Sequence, residues 1–208
     1  MNYYIDFDNT LYETARLTDA MISSICDNIS DSLNKEELVQ SIKSNFNSSK
    51  GNIYKYAKAV ASKHNIEEEI LIKAVDKILL NGSKYVYKDA VNFLEKIKEK
   101  GDKLIILTHI PETNQDYQMK KIIGSGISKY FEEIIITTNN KYELSLDYNN
   151  GIFIDDDVKN LEGLLSKNPI RVIRIRKQNN KHSIEELENE HVEEYESFDM
   201  IKIDWQLT

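Results

Sequence analysis

From residue 89 onward, amphipathic helical patterns alternate with short apolar runs, and this alternation limits the possible folds of the 208-residue chain more than any other feature. The apolar runs are LIILT at 104–108, EIIIT at 133–137, GIFID at 151–155 and IRVIRIR at 170–176. Short apolar runs separated by helices are typical of buried parallel strands. The pattern therefore predicts an α/β fold, with a parallel sheet and helices on both of its faces.

Polar side chains follow several of these runs. The chain begins with a further β-prone run at residues 2–7, which predicts a strand that carries Asp6 and Asp8 at its carboxyl end. In open parallel sheets, ligands bind beyond the carboxyl ends of the strands, where the strand order reverses. The polar residues expected to converge there are Asp6, Asp8, Thr108, Asp155 and Asp156.

Residues 13–81 have a different pattern, with apolar side chains recurring at helical spacing throughout. The spacing predicts four helices, the second of them around residues 38–46, and Asn81-Gly82 ends the set. Asn34 with Glu37, and Asn65 with Glu68, have the spacing of capping boxes. We therefore expect an all-helical insert over 13–82 in a core that is formed by residues 1–12 and 83–208.

Charge and composition exclude several classes of protein. The net charge is -8 and the basic residues are scattered, so a nucleic-acid-binding surface is not expected and an anionic substrate would need a local cation. No apolar run reaches the length of a signal peptide or a membrane span, which favours a cytoplasmic protein. Cys26 is the single cysteine and is expected to be a buried helix thiol. Residues 200–205 are a candidate edge strand.

The residues at the predicted strand ends are sufficient for phosphoryl transfer. Asp6 and Asp8 are two positions apart, so one carboxylate can attack while the other exchanges protons. Asp155 and Asp156 add hard oxygen ligands of the kind that Mg²⁺ prefers. Thr108 offers a hydroxyl, and Lys141 offers a cation, to the transferred phosphoryl group.

These residues also carry a family resemblance. The run Asp6-Phe7-Asp8-Asn9-Thr10-Leu11 resembles the first motif of the haloacid dehalogenase-like superfamily, and LIILT ending in Thr108 resembles the second. Lys141 resembles the third motif, with Lys129 as an alternative, and residues 152–156 resemble the fourth. The resemblance spans roughly residues 2–176 and implies a Rossmann-like core. It also implies that the helical insert is a mobile cap.

The resemblance assigns roles to individual residues. It implies that Asp6 forms an aspartyl-phosphate and that Asp8 acts first as general acid and then as general base. It implies phosphate binding by Thr108, His109 and Lys141, with His109 acting through its backbone amide. It implies Mg²⁺ coordination by Asp6, the Asp8 carbonyl and Asp156, with Asp155 as a further ligand or beside the ligands. Asn160 stands where many members have another acid.

We therefore expect a Mg²⁺-dependent phosphatase that acts on a small phosphorylated metabolite, such as a nucleotide or a sugar phosphate. A phosphotransferase or phosphomutase would need the same groups, and sequence does not separate it from a phosphatase. A non-catalytic phosphate-binding protein with the same fold is a further alternative. The Asp6 and Asp8 pair argues against that alternative, since a binder gains nothing from two negative charges beside a phosphate.

Overall fold

The computed structural model describes residues 1–29, 52–111, 114–146, 148, 151–167, 170–178, 182–187 and 189–203. Within these residues a six-stranded parallel sheet has the strand order β3-β2-β1-β4-β5-β6. The strands are β1 (Asn2–Ile5), β2 (Lys103–His109), β3 (Glu133–Thr137), β4 (Gly151–Asp155), β5 (Arg171–Ile175) and β6 (Val192–Tyr195). This order is that of the Rossmann fold, as expected, and the strand order reverses between β1 and β4.

Helices follow the strands of this sheet, as the sequence predicts. The described helices are α1 (Thr14–Asp27), α2 (Ile53–His64), α3 (Glu68–Leu80), α4 (Lys88–Glu99), α5 (Gln115–Gly124) and α6 (Val158–Leu165). Helix α4 ends before Gly101, whose φ of 79° is the left-handed conformation that a glycine adopts at low cost after a helix. The four strands predicted between residues 104 and 176 match the observed β2, β3, β4 and β5 to within about a residue at each end.

The helices α1, α2 and α3 lie between β1 and β2 in the chain, and α3 packs against both of the others. Their buried faces carry Leu17, Met21 and Ile25 from α1 and Leu71 and Val75 from α3. The predicted helix around residues 38–46 and the Asn34 capping box lie outside the described residues. The described helices of this stretch have the spacing that their apolar residues predict.

The capping box at Asn65 was a wrong prediction. Asn65 is the C-terminal cap of α2, with a left-handed φ of 54°, and its backbone N–H reaches the Ala61 and Ser62 carbonyls. Glu67 is the N-terminal cap residue of α3 and makes no side-chain capping bond. Asparagine tolerates left-handed φ better than most residues, so its presence three positions before the first residue of a helix also fits the end of the preceding helix.

The edge strand predicted at residues 200–205 was also wrong in its described part, residues 200–203. The edge of the sheet is β6, whose Val192–Tyr195 backbone pairs with β5. Residues Phe198–Met200 instead form a 3₁₀ turn. The turn is fixed because the Asp89 carboxylate accepts hydrogen bonds from the Ser197 hydroxyl at 2.7 Å and the Phe198 N–H at 2.9 Å.

Two apolar layers cover the sheet, one on each face. Successive residues of β1 point to opposite faces, so that Tyr3 and Ile5 join one layer and Tyr4 joins the other. Cys26 is buried in the first layer, as expected. No helix in the described part of the chain is both long and apolar enough to cross a lipid bilayer.

Candidate active site at the carboxyl edge of the sheet

The turn after β1 places two acidic residues close together. The Asp6 N–H donates to the Ile154 carbonyl at 2.8 Å, which continues the pairing of β1 with β4 by one residue. Asn9 then adopts a φ of 62°, and its N–H donates to the Tyr12 carbonyl at 2.8 Å. This local left-handed residue bends the chain back toward the sheet, so the side chains of Asp6 and Asp8 both remain at its carboxyl edge.

A buried acidic cluster lies where the strand order reverses. Asp6 comes from the end of β1, and Asp155 and Asp156 come from the end of the neighbouring β4. Each of the three has a carboxylate oxygen within 4.8 Å of the others, and all three are at least 95% buried. Asp156 also accepts a hydrogen bond from the Thr10 hydroxyl at 3.2 Å. Buried carboxylates at this spacing can hold a divalent cation.

Lys141 lies against this cluster. Its Nζ forms an ion pair with the Asp6 carboxylate and donates to Asp155 Oδ2 at 2.8 Å. The short 3₁₀ turn Lys141–Glu143 presents the lysine, and the Tyr148 hydroxyl donates to its carbonyl at 3.0 Å. The alternative lysine, Lys129, is exposed above the Tyr130 ring, outside this cluster. Of the two, Lys141 is the lysine that reaches the cluster.

The charges of this cluster do not balance. Burial would lower the pKa of Lys141, but the carboxylates of Asp155 and Asp6 outweigh it and raise this pKa. Burial raises the pKa of Asp6 well above its usual range; Lys141 opposes this shift, and the charges of Asp155, Asp156 and Asp8 add to it. One lysine therefore does not neutralise the carboxylates, and the oxygen-only donor set fits Mg²⁺ as the missing positive charge.

Asp8 has its own set of partners, separate from the cluster. Its Oδ1 pairs with the Lys121 ammonium group and accepts a hydrogen bond from the Thr14 hydroxyl. Its Oδ2 accepts a hydrogen bond from Gln118 Nε2 at 2.7 Å. Burial alone would raise the pKa of Asp8, but Lys121, Thr14 and Gln118 together lower it. In this arrangement Asp8 is a carboxylate with both oxygens engaged.

The other predicted phosphate-binding residues lie at the end of β2. Thr108 is fully buried, and its hydroxyl accepts a hydrogen bond from Gln118 Nε2 at 3.1 Å, so Gln118 joins Thr108 to Asp8. The His109 side chain is exposed, and its Nε2 lies 3.2 Å from the Thr138 carbonyl oxygen. Asn160 donates to Asp155 Oδ2 at 3.1 Å and thereby helps to orient that carboxylate.

The partners of Asp8 were not predicted from the sequence. Gln118 and Lys121 are three positions apart on α5, so they lie on one face of this helix. Two polar residues on the buried face of a predicted helix were the available signal, although lysine is usually solvent-exposed. Thr10 lies within the first motif, but no role had been assigned to it.

A known protein family matches most of the chain. The model of the family described as haloacid dehalogenase-like hydrolase matches residues 4–143, which include Asp6, Asp8, Thr108 and Lys141. A search of curated protein sequences finds no match.

Three solved structures share the fold at low sequence identity. A haloacid dehalogenase-like hydrolase from Burkholderia xenovorans LB400 superposes with a TM-score of 0.69 at 16% identity, covering 98% of this chain and 95% of that one. A HAD phosphatase from Thermococcus onnurineus has a TM-score of 0.59 at 17% identity, over 95% and 94% of the two chains. The HAD-hydrolase YfnB from Bacillus subtilis, bound to magnesium, has a TM-score of 0.59 at 12% identity, over 95% of each chain. With the family model covering most of its length, this chain belongs to the haloacid dehalogenase-like hydrolase family.

Proposed function

We propose that this protein is a Mg²⁺-dependent phosphatase that hydrolyses a small phosphomonoester through a phosphorylated Asp6. The observation that carries the proposal is the buried cluster of Asp6, Asp155 and Asp156, with Lys141 bound to two of these carboxylates and Asp8 two residues further along the chain. Phosphoryl transfer needs a nucleophile, a proton carrier and positive charge in one place, and the cluster offers candidates for all three.

In the proposed reaction, an Asp6 oxygen attacks phosphorus and the bond to the leaving oxygen breaks. Protonated Asp8 gives that oxygen its proton, becomes the carboxylate that Lys121 and Gln118 contact, and later takes a proton from the water that attacks phosphorylated Asp6. Thr108, Lys141 and the His109 backbone amide hold the phosphoryl oxygens. This sequence of steps regenerates Asp6 as a free carboxylate.

The proposal assigns Mg²⁺ to Asp6, Asp156 and the Asp8 carbonyl, with Asp155 as a further ligand or oriented beside them. When bound, Mg²⁺ neutralises charge that develops on the phosphoryl oxygens. Its charge would also favour the ionised form of Asp6, whose pKa burial and neighbouring carboxylates raise. Lys141 is already paired with Asp6 and Asp155, which supports the need for a second cation.

Asp8 favours a phosphatase over a dehalogenase within this family. Displacing a halide needs no proton on the leaving group, whereas an alkoxide leaving group does. Asp8 has three hydrogen-bond donors directed at its oxygens, and such an arrangement is expected of a group that must hold one orientation while it exchanges protons. A protein that only bound phosphate would not need it.

We also propose that residues 13–82 form a cap over the site and that the substrate is a small phosphorylated metabolite rather than a nucleic acid. Thr14, the first residue of α1, donates directly to Asp8, so the insert begins at the catalytic edge. The net charge of -8 supports a small substrate, since a phosphate polymer would be repelled over a large surface. A cap at this place would exclude water and contact the leaving group.

The test is hydrolysis of an aryl phosphate by the parent protein, with and without Mg²⁺, beside two variants. Asp6→Asn removes the nucleophile, whereas Asp199→Asn is the matched control because Asp199 is exposed on the 3₁₀ turn after β6. The proposal expects activity that a chelator abolishes, that Asp6→Asn loses and that the control keeps. Undiminished turnover in Asp6→Asn would refute the mechanism.

A further inference from the structure

Lys121 is a buried lysine at the carboxyl edge of the sheet. Its side chain is 3% exposed and projects from α5 between two aromatic rings, with Nζ 5.6 Å from the Phe7 ring centroid and 5.3 Å from that of Tyr117. A methionine or leucine could pack in such surroundings without desolvating a charge. A lysine here therefore indicates a need for positive charge at this point.

The group that receives this charge is Asp8. Lys121 pairs with Asp8 Oδ1, to which the Thr14 hydroxyl also donates, while Gln118 donates to Oδ2 at 2.7 Å. The three donors come from two helices, α1 and α5, that lie on either side of β2 in the chain. Rotation of the Asp8 carboxylate would break bonds to both helices, so its orientation is fixed from two sides.

Lys120, the preceding residue, makes a useful contrast. It is 51% exposed and reaches Asp76 of α3 at 3.1 Å, and its Nζ also lies near the Tyr54 hydroxyl. Two consecutive lysines on α5 thus point in different directions, one to the helices between β1 and β2 and the other to Asp8. Removing each charge in turn separates an effect on Asp8 from a general effect of lost charge on α5.

We propose that Lys121 is a positioning residue that, with Gln118, holds the Asp8 carboxylate in the orientation in which it takes the proton from the water attacking phosphorylated Asp6. This inference rests on the proposed function. Thr14, Gln118 and Lys121 all donate to the Asp8 oxygens and so favour the ionised carboxylate, which is the form that accepts a proton. The water loses its proton to Asp8, its oxygen bonds to phosphorus, and the bond between phosphorus and Asp6 breaks.

The kinetic consequence is specific to the second half of the reaction. Lys121→Met should slow hydrolysis of phosphorylated Asp6 by about 10- to 100-fold, the scale that misplacement of a catalytic group by about 1 Å produces. With an aryl phosphate, whose leaving group needs little protonation, kcat and KM should fall together while kcat/KM changes little. The phosphorylated protein should then accumulate during turnover.

The experiment measures kcat, KM and the phosphorylated fraction by intact-protein mass spectrometry. It compares the parent, Lys121→Met, Lys120→Met, Asp8→Asn and the double variant of residues 8 and 121. We expect Lys120→Met to match the parent, and we expect Lys121→Met to add little to Asp8→Asn, because it acts through Asp8. A full additional loss in the double variant, or a rise in KM at unchanged kcat, would overturn the proposal. If Lys121→Met does not fold, Gln118→Leu removes another donor to Asp8 and takes its place.

A crystal structure of Lys121→Met gives a readout that needs no activity. We expect the Asp8 carboxylate to leave its position while Asp6 and Asp155 stay in place. An unchanged Asp8, still bonded to Gln118 and Thr14, would overturn the positioning role even if the parent is an active phosphatase. A displaced Asp8 in a protein whose parent releases no phosphate would leave the positioning contact standing and remove the proposed function.

Discussion

Replacement of Lys141 by methionine tests whether the acidic cluster depends on this one lysine. Lys141 is 2% exposed and pairs with Asp6 and Asp155. Its removal leaves buried carboxylates without that partner, and breaking a buried ion pair in this way costs about 3–5 kcal/mol. With an unfolding entropy of about 2.1 cal/mol/K per residue over 208 residues, this loss lowers Tm by about 7–11 °C.

The assays are urea and thermal unfolding of Lys141→Met in the absence of Mg²⁺, with Lys129→Met as the matched control. Lys129 is exposed, so its replacement should change the free energy of unfolding by no more than about 0.5 kcal/mol. The loss in Lys141→Met should also depend on pH. The pKa of Asp6 is raised in the folded protein, so its contribution to stability is present below the ordinary carboxyl range and is lost as pH rises through the raised value.

Without Lys141 to offset the charge of Asp6, the variant's stability should fall more steeply with rising pH than that of the parent, from about pH 4 upward. A Lys141→Met protein as stable as the control at neutral pH would contradict this prediction, since it would mean that the cluster does not need this lysine. A loss of stability that is the same at all pH values would contradict the proposed role of Asp6 in the pH dependence.

Three further predictions follow from other contacts. Asp8→Asn should slow turnover by about 10²- to 10⁴-fold with Mg²⁺ affinity by calorimetry nearly unchanged, and equal rates would exclude its acid–base role. Asp89→Ala should cost about 1–3 kcal/mol in urea unfolding. Burial would raise the pKa of Asp89, but Lys177 and two hydrogen bonds lower it, so this cost should vanish as pH falls below the ordinary carboxyl range. Gly124→Ala should lower the Tm measured by calorimetry, because the added Cβ would lie 1.9 Å from the Leu79 carbonyl oxygen. An unchanged Tm would contradict this close packing of α3 on α5.

The strands and the acidic residues at their ends could be predicted because both depend on local sequence. A buried parallel strand requires a continuous apolar run, and a parallel sheet brings the carboxyl ends of its strands to one edge. This was enough to predict that Asp6, Asp155 and Asp156 meet. Lys141 was preferred over Lys129 from the sequence because it follows β3 and Lys129 precedes it, and Lys141 is the one of the two that pairs with Asp6.

The contacts that the sequence did not reveal depend on helix orientation. Whether Gln118 and Lys121 point at the sheet or at solvent is decided by how α5 packs, and their polar side chains alone would favour solvent. Asn65 shows the same limit on a smaller scale, because one asparagine near two helices can cap the end of the first or the start of the second. The edge strand was missed for a different reason. Val192–Tyr195 has little apolar content, and its Glu193 is held by an ion pair in which the Arg171 guanidinium donates to Glu193 Oε2 at 2.7 Å.

Mapping the phosphorylated residue shows whether Asp6 is the nucleophile and Asp8 its proton carrier. Asp8→Asn is mixed with an aryl phosphate and Mg²⁺ and quenched in acid, and the modified peptide is mapped by mass spectrometry. We expect one phosphoryl group on Asp6, which accumulates because the attacking water lacks its base, and none in Asp6→Asn. Phosphate release by the parent with the phosphoryl group on another residue, or with no phosphorylated protein in either variant, would contradict it.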